Sequence, residues 1–201
     1  MEPVTAALAA FLLIVPVELP DKTFVATLVL ATRYRPLPVW LGVTAAFGIQ
    51  CLVAVVAGKL LTLLPERPVQ FAAAALFAVG AVILFLGARK ADAQEAETQR
   101  RYEERIADSR TGWRAFGASF LVLFAAEWGD LSQLLTAGLV AAGRAPVPVF
   151  VGSWVALAVV AGAGVVLGRV LRRRIRLSLI RYVGALVCAI LAVVTVVAAL
   201  T

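Results

Sequence analysis

Long apolar runs alternate with short polar joints along this chain. Six segments, near residues 5–32, 39–64, 69–88, 114–142, 147–168 and 178–200, are mostly apolar over at least 20 residues. That length lets a helix rising about 1.5 Å per residue cross a hydrocarbon layer of about 30 Å. Pro36 with Pro38, Pro65 with Pro68, and Pro146 with Pro148 fall in three of the joints, as expected of residues that punctuate helices. The first and fourth segments exceed a single crossing, which fits either tilt or a broken helix. The pattern predicts an all-α integral membrane fold with six core transmembrane helices.

Composition agrees. Hydrophobic residues make up 62% of the chain and charged residues 15%, with a mean hydropathy of +0.96. A soluble fold has too little interior at this size to hide so much apolar surface, so lipid is the solvent for most of the chain. Met1-Glu2-Pro3 lacks the basic region of a secretory signal, and the apolar run after it outlasts a signal peptide. That run is expected to be a retained span.

The net charge is +7, and its distribution reads as topology. On one side of a six-span path lie fifteen basic residues: Arg33 and Arg35, seven across 89–114, and six across 169–181. The other side holds Lys59, Arg67 and Arg144. The positive-inside rule makes the basic side cytoplasmic and puts both termini outside. Basic residues set between apolar runs do not form the clustered patch that nucleic acid requires, so no nucleic-acid partner is expected; the partner is the bilayer.

Residues 89–113 hold the one long polar stretch, with Glu97 and Arg101 at helical i,i+4 spacing. It reads as a solvated cytoplasmic linker between a first three-helix unit, 1–88, and a second, 114–201. The two units resemble each other. A shift of 109 residues aligns Glu18 with Glu127, Asp21 with Asp130, Thr23 with Ser132 and Thr27 with Thr136. One added residue in the next loop aligns Pro36 with Pro146, Pro38 with Pro148, Gly42 with Gly152, and Gly58-Lys59 with Gly168-Arg169. Because each unit has three spans, the second must enter the membrane in the opposite direction. Inverted-topology repeats of this kind hold their ion and substrate sites where the repeats meet.

The aligned residues include two acidic motifs, Glu18-Leu19-Pro20-Asp21-Lys22-Thr23 and Glu127-Trp128-Gly129-Asp130-Leu131-Ser132-Gln133. The i,i+3 spacing predicts that the carboxylates of each pair neighbour one another on a helix face. An ionised acid at the bilayer centre costs about 3 kcal/mol on insertion scales, and four together on the order of 10 kcal/mol. Protons or a bound cation must neutralise such a cluster, and alternation between the two is the basis of exchange. Thr23, Ser132 and Gln133 offer neutral oxygens. Pro20 and Pro16 withhold N–H groups from the carbonyls of Pro16 and Leu12, and carbonyls freed at a broken helix coordinate cations.

Histidine is absent, and Cys51 and Cys188 lie apart in apolar runs, so no disulfide framework or thiolate site is expected. An all-oxygen site suits Mn²⁺, Ca²⁺ or Mg²⁺, and zinc is disfavoured. Other polar residues have plainer readings. Lys22 either neutralises Asp21 or tunes its proton affinity. Thr27 and Thr136 are expected to bond backbone carbonyls, Trp128 to pack or anchor at an interface, and Gln50 to make a helix–helix hydrogen bond.

At its two motifs the sequence resembles the Gdt-type Ca²⁺/Mn²⁺:H⁺ antiporters of the Ca²⁺:cation antiporter-2 group. Members carry two copies of E-x-G-D-[KR]-[ST] on the first and fourth of six core spans, joined by a hydrophilic loop. The resemblance covers essentially the whole chain. It implies export of Mn²⁺ or Ca²⁺ in exchange for protons, with manganese export the commoner bacterial activity. Glu18, Asp21, Glu127 and Asp130 would be the metal and proton ligands, assisted by Thr23, Ser132 and Gln133. Pro20 stands in place of the first motif's glycine and Leu131 in place of the second motif's basic residue, departures that bear on ion preference and proton coupling.

The function expected is a plasma (inner) membrane divalent-cation/proton antiporter, with no cofactor beyond the transported ion. Competing readings are a LysE-like exporter of small solutes, with a roomier pocket, and a non-transporting membrane scaffold that tolerates loss of all four acids. An enzyme is not expected, because the chain carries no recognisable nucleophile–base set.

Overall fold

The computed structural model describes residues 3–19, 22–88, 112–174 and 177–200. Among the described residues every regular element is an α-helix: α1 (Pro3–Glu18), α2 (Lys22–Arg33), α3 (Pro36–Leu61), α4 (Glu66–Ala88), α5 (Trp113–Ala126), α6 (Leu131–Ala141), α7 (Pro146–Arg174) and α8 (Leu177–Leu200). Residues 89–111, nearly all of the expected linker, lie outside the described residues, as do Pro20 and Asp21.

Three stretches, Pro36–Leu61, Arg67–Ala88 and Pro146–Val166, are long and apolar enough to cross a bilayer. A fourth crossing results if Pro3–Glu18 and Thr23–Ala31, whose axes differ by 71°, form one bent span. Three or four such spans in one chain make a multi-pass membrane protein. Trp113–Ala126, Leu131–Ala141 and Ala185–Leu200 are apolar but individually shorter. The two over-long runs of the sequence are therefore each divided into a pair of helices.

The prolines at the joints open helices more than they end them. Pro36 is the first residue of α3, after Arg35 in extended conformation, and Pro146 is the first residue of α7. The first-turn N–H groups of a helix have no internal partner, so proline removes nothing there and its fixed φ suits the turn.

The central helix α3 packs against α5, α6 and α7, while α1 lies along α7 and α4 along α8. One stripe of α1 (Ala6, Ala10, Leu13, Ile14, Val17) is buried, at the spacing of a single helix face. Its opposite face (Val4, Leu8, Leu12) is exposed and equally apolar. Exposed large hydrophobics recur on α3, α4, α7 and α8; a continuous apolar exterior of this kind suits hydrocarbon and not water.

Close helix contacts use glycine. A Cβ at Gly42 of α3 would collide with the carbonyl of Phe116 on α5, and one at Gly152 of α7 with the carbonyl of Ala7 on α1. A Cβ at Gly58 would lie 2.5 Å from the Ala137 carbonyl oxygen on α6. Small residues bring helix backbones together where lipid supplies no hydrophobic drive for association. Two indoles also clasp α3 and α7: Trp40 Nε1 donates to the Ala158 carbonyl and Trp154 Nε1 to the Thr44 carbonyl, each at 2.9 Å.

Candidate functional site: two interrupted helices

Each acidic motif lies at an interruption. Helix α1 ends at Glu18, and α2 begins at Lys22. Helix α5 ends at Ala126, with Glu127 as its C-cap, and Asp130 in extended conformation is the N-cap of α6. The two acids of the second motif thus belong to successive helices, and the single-helix-face geometry expected from their spacing does not hold. Gly129 supplies the reason, because its φ of +77° is a left-handed conformation that side-chain-bearing residues adopt only under strain.

Polarity follows from this placement. Glu127 sits at the carbonyl end of α5, where partial negative charge accumulates, and Asp130 at the amide end of α6, which favours an anion. Glu18 and Glu127 are 1% and 2% exposed, and Asp130 is partly buried. Asp21 is outside the described residues, so the first pair is described through Glu18 alone.

The neutral candidates divide. Thr23 and Ser132 are buried in the first turns of α2 and α6. Among the described residues the Thr23 hydroxyl makes no hydrogen bond, nor do those of Thr44 and Ser119. Gln133 spans the second interruption: its Nε2 donates to the Glu127 carbonyl at 2.9 Å, and its Oε1 accepts from the Gly129 N–H at 3.1 Å. The amide expected to offer an oxygen to a cation thus also braces the turn between the two acids.

Thr27 and Thr136 return hydrogen bonds of 2.7 Å to the carbonyls of Thr23 and Ser132, as their sequence reading expected. Thr136 also shares a 3.1 Å hydrogen bond with Ser153 on α7. Ser153 is fully buried and was missed in the sequence, since its first-unit counterpart is Val43 and the repeat gives no signal there. Gln50 makes the expected interhelix bond, from Nε2 to the Phe124 carbonyl at 3.1 Å. Trp128 is 58% exposed and packs on Phe124, ring centroids 5.0 Å apart.

The helices that flank the two interruptions pack against one another. Helix α1 touches α6, α2 touches α5, and α3 passes alongside α2, α5 and α6. Helix α3 reaches the second interruption directly, where Gln50 bonds Phe124, three residues before Glu127. Among the described residues no three Asp, Glu, Cys or His side chains gather closely enough to hold an ion by themselves. A cation held by the described residues alone would draw on hydroxyl and carbonyl oxygens as well. Cys51 and Cys188 are buried free thiols.

The sequence model of a family described as divalent cation/proton antiporter GDT1 matches the chain over residues 6–92 and again over 115–201. A GDT1-like protein of Synechocystis is 34% identical over 149 residues, which cover 70% of this chain and 72% of that protein. The chloroplastic protein PAM71 of Arabidopsis thaliana is 31% identical over 206 residues, 94% of this chain and 55% of that protein. GDT1-like protein 3 of Arabidopsis thaliana is 26% identical over 196 residues, 90% of this chain and 67% of that protein. The chain thus spans from about half to nearly three-quarters of the length of these relatives. No solved structure matches it. With two family matches that together take in most of its residues, the chain belongs to the GDT1 family of divalent cation/proton antiporters.

Proposed function

We propose that this chain exports a divalent cation, Mn²⁺ or Ca²⁺ with Mn²⁺ preferred, in exchange for protons. Glu18, Asp21, Glu127 and Asp130 are the exchanging carboxylates, and Thr23, Ser132 and Gln133 assist with neutral oxygens. The observation that carries this reading is the burial of Glu18 and Glu127 in an apolar bundle, each where a helix stops short of a full crossing. A carboxylate so withdrawn from water is costly when charged and bare. Protonation or a bound cation relieves that cost, and the two compete for the same oxygens.

Six crossings in two inverted three-helix repeats, 1–88 and 114–201, complete the proposal, with the first and fourth crossings interrupted. Reciprocal packing supports it: α1 lies on α7 as α5 lies on α3, and α2 meets α7 as α6 meets α3. Family-model matches that begin 109 residues apart, at 6 and 115, point the same way. Alternating access would come from rocking one repeat against the other around a site shared by both. The positive-inside rule sets both termini outside and the 89–113 linker in the cytoplasm, with the protein in the plasma (inner) membrane.

Competition between metal and proton gives a direct test. Purified protein should be stabilised against heat by Mn²⁺, by about 2.7 kcal/mol at a hundred times the dissociation constant. The stabilisation should shrink as pH falls, because protons fill the carboxylates that the metal needs. Stabilisation independent of pH, or none from any divalent ion, would count against the proposal.

A further inference from the structure

The two interruptions differ in how the last turn of the preceding helix is satisfied. In the first, the Leu19 N–H closes the turn by donating to the Val15 carbonyl at 2.9 Å. The residues 109 positions later are Trp128 and Phe124. There, among the described residues, no main-chain bond joins the pair. The Phe124 carbonyl instead accepts the side-chain amide of Gln50, reaching across from α3 at 3.1 Å. The residue matching Gln50 in the second unit is Val160, so the arrangement has no counterpart at the first interruption.

A helix end leaves carbonyls without internal donors, and in an apolar interior these must be met from elsewhere. Gln50 is 2% exposed and sits mid-way along the helix that packs against α5, α6 and α7. Its amide takes over the role of the Trp128 N–H, so the chain can leave α5 early and turn through Gly129 without leaving the Phe124 carbonyl unmet. Gln133 holds the far side of the same turn. Its first-unit counterpart is Phe24, which has no amide to offer.

We infer that Gln50 is a positioning residue for the Glu127–Asp130 half of the site, tying it to α3 and making the two half-sites inequivalent. The inference rests on the exchange reading for its functional consequence and on geometry alone for its structural one. A half-site braced from α3 is set for metal before metal arrives, whereas the position of α7 that matches Gln50 is Val160, which offers the Glu18 half no such amide.

Gln50→Met keeps the length of the side chain and removes the donor. In proteoliposomes it should raise the KM for Mn²⁺ about three- to ten-fold, the range set by one lost neutral hydrogen bond, with kcat changed less than KM. Hydrogen–deuterium exchange should quicken across residues 124–130 and stay unchanged across residues 7–19. Gln50→Asn, with an amide on a shorter stem, should show the same shifts at smaller size, and it substitutes as the test if the methionine variant does not fold. Wild-type exchange rates in both variants, or an unaltered KM in a protein that transports, would overturn the inference. If the wild type moves no protons at all, the exchange reading fails, and deuterium uptake across 124–130 still decides whether Gln50 braces the turn.

Discussion

Gly152 on α7 lies against the Ala7 carbonyl of α1, and Gly42 on α3 meets the Phe116 carbonyl of α5 in the same way. Ala7 and Phe116 are 109 residues apart, the offset that aligns the two acidic motifs. Alanine at either glycine must push two helix backbones apart, and overpacking of this kind costs about 1–3 kcal/mol. Gly117→Ala serves as the control, since nothing lies within 4 Å of a Cβ there. Thermal unfolding in detergent should show Gly42→Ala and Gly152→Ala destabilised and Gly117→Ala unchanged or slightly stabilised. Equal behaviour of all three would mean that the contacts are not tight.

Gly129 has the opposite character. A Cβ there meets nothing within 4 Å, but φ is +77°. Gly129→Ala should therefore cost about 1–2 kcal/mol through backbone strain alone, and Gly129→Asn less, since asparagine tolerates this conformation. If alanine and asparagine were equally damaging in a melting experiment, side-chain crowding would be the cause and not conformation.

The indole bonds from Trp40 to Ala158 and from Trp154 to Thr44 hold α3 against α7 from both sides. Trp40→Phe and Trp154→Phe should each lose about 0.5–1.5 kcal/mol. Their effects should add to within about 0.5 kcal/mol if the two bonds act independently. A double-mutant cycle read by unfolding measures this, and a large coupling would show the clasp acting as one unit.

Glu127→Gln removes the charge and keeps the shape. An ionised acid at this depth costs about 3 kcal/mol on insertion scales, so the metal-free variant should unfold no more readily than the wild type at pH 8. It should also lose the stabilisation by Mn²⁺. A variant clearly weaker than the wild type without metal would make the carboxylate structural, and its burial would then no longer speak for exchange.

Much of this arrangement was legible in the sequence because membrane folding depends on run length and charge placement. The all-helical architecture, three or four of the six expected spans and the acids set within apolar runs follow from those alone, and the bonds made by Thr27, Thr136 and Gln50 follow from the few ways a hydroxyl or amide is satisfied in an apolar interior. The division of the second motif between two helices was not legible from spacing. An i,i+3 pair reads alike on a continuous helix and across a turn, and only the positive φ of Gly129 separates the two. Gln133 presents an oxygen whether it binds a cation or braces a turn. Ser153 stayed hidden because a lone serine in an apolar run carries no period, and its partner Thr136 lies on a different helix.

The most direct test of exchange is proton movement in proteoliposomes when Mn²⁺, Ca²⁺ or Mg²⁺ is added to one side, with Asp130→Asn reconstituted in parallel. The expected result is proton flux triggered by Mn²⁺, or by Ca²⁺, and abolished in the variant. Absence of flux with every metal, from folded and correctly inserted protein, or undiminished flux in Asp130→Asn, would contradict it.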